Sequence, residues 1–182
     1  MFRFRLRHPR LFVAAFAILA AAPVIVFLLS GGDSRPDYPY SVQTFEDQGR
    51  EHLPVGQRYD FYNSNPPTSG PHSSRPADWG VHEEPVAKEM QVHNLEHGGV
   101  AVLYDCSAGV QAKCRELREQ LAVIVQGDIS AGKLVLMSPY AGMEHRIALT
   151  AWGTLDTLDA FDAARIQAFI DHFERLFNPE GF

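Results

Sequence analysis

The chain has 182 residues, enough for one folded domain plus a tail or an anchor. Arg3, Arg5, Arg7 and Arg10 are four of its 16 basic residues, and without them the remainder stands at −10 against 22 acidic residues. That balance excludes a nucleic-acid partner, which needs a basic surface, and leaves soluble cations and metals as compatible partners.

Residues 1–10 read as a basic cytoplasmic tail. Residues 11–29 contain no charge and are apolar all round, and at ~1.5 Å per residue they reach roughly 28 Å, about the thickness of a bilayer core. This run predicts a transmembrane signal anchor in the lipid bilayer. A cleaved signal peptide is the alternative, although its apolar region is usually shorter and ends at a clearer cleavage site. Either way the arginines stay in the cytoplasm. The expected protein is single-pass in the cytoplasmic or inner membrane, with its C-terminal domain in the periplasm or extracellular space. Residues 30–40 form a Gly/Pro/Asp linker, and residues 41–182 the extracytoplasmic globular domain.

Within that domain, residues 41–52 suggest a short helix and residues 55–62 a strand. Residues 63–79 hold four prolines and form a long ordered loop. Residues 85–96 predict a helix that Gly98 and Gly99 stop. After residue 100 the pattern gives a buried strand at 100–104, a helix at 111–126 ending at Gly127, strands at 134–137 and 146–152, and an amphipathic helix at 160–177. This β-α-β-β-α order is α+β, a small sandwich-like domain. It is also the order of the last part of a thioredoxin-like fold, though the redox Cys-x-x-Cys is missing. In an oxidising compartment Cys106 and Cys114 are expected to form a disulfide.

Chemistry concentrates in the histidines. If residues 93–97 are helical, His93 and His97 lie one turn apart on one face, and two imidazoles there can share a metal. His72 follows a proline-locked segment suited to holding a ligand in place. Met143 and His145 offer a further thioether and imidazole. His8, His52 and His172 read as neutral or structural, and His82 as a weaker candidate. The expected metal site is therefore His72, His93, His97, Met143 and His145, with copper favoured over zinc by the Irving–Williams order and the soft thioether. The alternatives are a metal-dependent hydrolase or other enzyme using Glu96 on the same site, and an interaction domain without metal. His-x-x-Glu-His also spells an inverted zincin motif, but such peptidases need a longer helix through it.

The stretches NSNPPTSGPH (63–72), GVHEEP (80–85), VHNLEHGGVAVLY (92–104), LMSPY (136–140) and LTAWG (149–153) resemble the domain-of-unknown-function 3105 family over roughly residues 40–178. The resemblance implies an exported or membrane-anchored bacterial protein with His72, His93, Glu96 and His97 at signature positions. His82 stands where family members carry tyrosine, and Met143 is less clearly part of the pattern.

Overall fold

The computed structural model describes residues 35–107 and 111–179. In chain order the elements are β1 (Gln43–Thr44), β2 (His52–Leu53), β3 (His72–Ser73), β4 (Gly80–Val81), α1 (Lys88–Glu96), β5 (Val100–Tyr104), α2 (Gln111–Ser130), β6 (Val135–Pro139), β7 (Ile147–Ala151), β8 (Thr154–Leu158) and α3 (Ala163–Phe173). The basic tail and the apolar run of residues 11–29 lie outside the described residues. Among the described residues, no helix is long and apolar enough to cross a membrane.

The five residues of β5 are all buried, as a continuous apolar strand at the centre of a sheet must be. Six strands run in the order β1-β8-β7-β5-β6-β4. β5 is parallel to β6, joined to it through α2, and antiparallel to β7. Alternating side chains divide the core between the two faces. Val100, Val102, Val135 and Met137 face Leu117, Leu121 and Val125 of α2 and Ile166, Phe169 and Ile170 of α3. Ala101, Leu103, Leu136 and Ala148 face Val92 and Leu95 of α1 together with Trp152 and Tyr140. The fold is α+β, with a mixed sheet between two helices on one side and α1 on the other.

Several local expectations are corrected. Residues 55–62 form no strand: Tyr59 donates its backbone N–H to Glu89 Oε1, not to a neighbouring strand, and Phe61 is 78% exposed. Residues 41–52 form no helix: they hold the extended piece β1, and His52 begins β2. Gly127 does not end α2, which runs to Ser130; an exposed helical glycine costs only ~0.5–1 kcal/mol, and this helix is anchored by Leu117, Leu121 and Val125. β8 was not anticipated, so the order after residue 100 is β-α-β-β-β-α. Trp152 and Gly153 make a two-residue hairpin turn into it, with Gly153 at φ 68°. α3 is shorter than its apolar spacing suggested; Asp162 caps it by accepting from the Arg165 N–H, and Glu174 closes it.

Residues 35–40, read from the sequence as linker, pack on α3. Tyr38 meets Phe169 and Phe173 edge-on and donates to the buried Asp156, and Pro36 O accepts from His172 Nδ1. The expected disulfide is present: Cys106 and Cys114 are bonded with a Cα–Cα distance of 5.7 Å, tying the end of β5 to the start of α2.

Candidate metal centre

The site begins with β2 and β3. These two-residue strands pair in parallel with His52 opposite His72. His72 N donates to Glu51 O and Ser74 N to Leu53 O, each at 2.9 Å, so the backbone ladder brings the two rings together. The approach to His72 needs Gly70, whose φ of 118° is strained for any residue with a Cβ and whose missing Cβ would sit 3.3 Å from the Tyr62 ring.

α1 supplies the rest. Seven of its nine residues are buried, including Glu89, Gln91, His93, Asn94 and Glu96. Buried polar groups are costly unless hydrogen-bonded, and each of these has a partner. Gln91 donates to Val86 O. Asn94 accepts from Ala77 N and donates to Ala77 O, pinning the loop that follows His72. The turn after His97 depends on Gly99, because a Cβ there would lie 2.3 Å from the Trp79 ring.

The ligating atoms of His52, His72 and His93 all lie within 4.8 Å of one another. His72 Nε2 is 3.0 Å and His52 Nε2 3.3 Å from Glu96 Oε2. His93 Nε2 is 2.7 Å from His97 Nε2, with the two rings stacked. His72 is fully buried and His93 nearly so, while the His52 side chain is 46% exposed, so the cluster opens to solvent on the His52 side.

Hydrogen bonding fixes which nitrogens are free. Gly70 O lies 2.8 Å from His72 Nδ1, and Ser73 O lies 2.6 Å from His93 Nδ1. A carbonyl oxygen only accepts, so both Nδ1 atoms carry the hydrogen and a neutral ring presents its Nε2 lone pair to the cluster. The His72 lone pair then faces a carboxylate oxygen of Glu96. Two acceptors at 3.0 Å need a proton or a cation between them. At His93, burial pushes the pKa below the ordinary histidine value; the Ser73 carbonyl opposes this, and charge on His97, His72 and His52 adds to it. His93 is thus kept in the neutral form that binds metal.

A family profile described as a protein of unknown function (DUF3105) matches residues 52–181. The chain belongs to the DUF3105 family. No curated protein and no solved structure matches it. The DUF3105 match starts at His52 and spans the whole cluster.

Of the expected histidines the structure brings His72 and His93 together, with His52 as the third member and Glu96 beside His72; His97 meets His93 through Nε2 but lies outside the three-histidine group. Met143 packs against the apolar cluster on the α1 side of the sheet. His145 lies outside the three-histidine group and bonds Asp159 Oδ1 through Nδ1 at 2.8 Å. His82 is engaged by Asp78 O. The sequence reading missed His52. Its polar surroundings resemble a solvated surface, and only its register with His72, which spacing does not reveal, places it in the site. The glutamate of the zincin-like motif is the last residue of α1 and His97 its C-cap, so no helix continues through the motif.

Proposed function

We propose that this protein is a metal-binding domain, carried outside the cytoplasm on an N-terminal membrane anchor, that holds one transition-metal ion through His52, His72 and His93. The observation that carries this reading is the convergence of the three donor atoms within 4.8 Å, two of them with Nδ1 committed to a backbone carbonyl. Ligation at ~2.0–2.1 Å puts donors ~3.4 Å apart, so a pair at the full 4.8 Å closes by about 1.4 Å when the ion enters. Glu96 supplies a carboxylate oxygen to the same centre, and His97 stands against His93 as a further imidazole. An imidazole-rich site favours copper over zinc by the Irving–Williams order. The parallel β5–β6 pair with the antiparallel β7–β8 hairpin beside it supports a thioredoxin-like frame, used here as scaffold and not for thiol exchange.

The test is elemental analysis of the purified full chain beside a His52→Ala/His72→Ala/His93→Ala variant. About one equivalent of copper or zinc in the first and none in the second is expected; equal loading of both defeats the reading. A reporter fused after Phe182 is expected to be active only outside the cytoplasm, and cytoplasmic activity would overturn the topology.

A further inference from the structure

At the N-terminal end of α1 a cleft of about 620 Å³ is lined by Val55, Arg58, Val86, Glu89, Pro139 and Tyr140 among others. This is within the usual size of small-molecule sites. Glu89 is only 6% exposed. One of its oxygens accepts the Tyr59 backbone N–H at 2.9 Å. Among the described residues nothing hydrogen-bonds the other, and neither Arg58 nor Lys88 forms an ion pair with it.

The two nearby phenols do not serve it either. Tyr62 donates to Pro71 O and Tyr140 to Asn65 Oδ1, each at 2.8 Å. Burial first, and then the charge on Glu89, pushes Tyr140 up to about 12 and raises Tyr62 as well, which puts both rings within the field of this carboxylate. Every fully enclosed side-chain oxygen or nitrogen among the described residues has a partner. The second Glu89 oxygen is therefore not enclosed; it opens into the cleft. A carboxylate so deeply buried, with half its hydrogen-bonding capacity unused and no cation of the chain against it, is a ready receptor for an external cation.

We propose that this cleft binds a small organic ammonium ion, its N–H groups donating to the free oxygen of Glu89 and its apolar body lying against Val55, Val86, Pro139 and the Tyr140 ring. The apolar walls favour an organic cation over a bare metal ion, which would need several more oxygen or nitrogen donors. An aromatic face beside the carboxylate adds cation–π attraction. The cleft shares Ser73, whose carbonyl holds His93 Nδ1, with the histidine cluster, and both depend on α1: Glu89 lies one helical turn before His93.

The experiment is calorimetric titration of the full chain, with chelator present, using phenethylammonium and its uncharged isostere phenethyl alcohol. Saturable one-site binding of the amine is expected, with the alcohol at least about tenfold weaker. Glu89→Gln keeps an acceptor for Tyr59 and is expected to weaken the amine by about tenfold or more while leaving the alcohol unchanged. Ala141→Trp, at the exposed rim, is expected to block both ligands. No saturable amine binding by the unaltered chain up to about 10 mM overturns the proposal, as does equal binding of amine and alcohol. So does unchanged amine binding in Glu89→Gln. If Glu89→Gln fails to fold by circular dichroism, Ala141→Trp decides: amine binding that survives the filled cleft overturns the proposal.

Discussion

Replacing His52 by alanine separates a metal ligand from a structural histidine. The side chain is 46% exposed, and its one hydrogen bond goes to Glu96, which keeps His72 as a partner. The metal-free variant is therefore expected to stay within about 0.5 kcal/mol of the parent. For a folded unit in the ~150-residue range, 1 kcal/mol moves the Tm by about 2–4 °C, so the metal-free Tm shifts by less than ~2 °C. Metal at about 1,000 times its Kd stabilises the parent by ~4.1 kcal/mol, a rise of roughly 8–16 °C. Losing even an outer partner of a ligand costs ~10–100-fold in affinity, and losing an imidazole ligand should cost at least ~100-fold. At the same free metal the variant then sits near 10 times its Kd and keeps only ~1.4 kcal/mol, or ~3–6 °C. The assay is differential scanning fluorimetry with copper, zinc or chelator. An undiminished metal-induced rise in the variant refutes ligation by His52. A metal-free Tm lowered by more than ~8 °C shows that the ring is structural.

Acidification is expected to act twice. Metal affinity falls below about pH 6, because protonated imidazole does not ligate, and binding that is indifferent to pH between about 5 and 8 would point to carboxylates instead. The metal-free protein also weakens in acid. The pKa of His93 is lowered in the fold, so its contribution is intact above the unfolded value of ~6.5 and is lost as pH falls below it, where the unfolded chain takes up a proton that the fold resists. Urea midpoints across this range check the sign; stability that rises on acidification through ~6.5 contradicts it. Asn94→Ala leaves the buried N–H and C=O of Ala77 without their partner and is expected to cost about 2–4 kcal/mol in urea unfolding, with a loss below ~0.5 kcal/mol counting against the clamp. Reducing Cys106–Cys114, whose sequence separation is 8, is expected to cost about 2–3 kcal/mol, and an unchanged urea midpoint after reduction would contradict it.

The sheet face that packs on α2 and α3 was legible in the sequence because long segments average out local noise. The apolar run of β5, the Leu117–Leu121–Val125 stripe and the Ile166–Phe169–Ile170 stripe each repeat one period over several residues. The pairing of Cys106 with Cys114 was legible from compartment and proximity. The other face was harder. β2 and β3 are two residues each, too short to show a period, yet their register carries His52 to His72. β8 was missed because Thr154–Leu158 places Asp156 at a buried position, where Arg165 and Tyr38 neutralise it from distant parts of the chain. His93, Glu96 and His97 were visible because a helix fixes their spacing locally. His52 and the cleft at Glu89 depend on long-range contacts that no local spacing encodes.

The two faces of the sheet divide the work of the fold. α2 and α3 bury apolar stripes and are held mainly by removing that surface from water. α1 buries Val92 and Leu95 as its apolar contribution to the opposite core, too little to order nine residues against their conformational entropy. Its remaining hold on the domain is polar. Asn94 grips Ala77, Gln91 grips Val86, His93 grips Ser73, and Glu96 grips His72 and His52. A buried polar network is favourable only when every member is satisfied. The contact between His72 Nε2 and the Glu96 carboxylate is the point where the network needs a proton or a cation between two acceptors. An ion bound there would satisfy the network and fasten α1 to β3 together. α1, which would offer His93 and Glu96 to such an ion, would then be the element with most to gain from it, while the apolar layer across the sheet holds the scaffold without it.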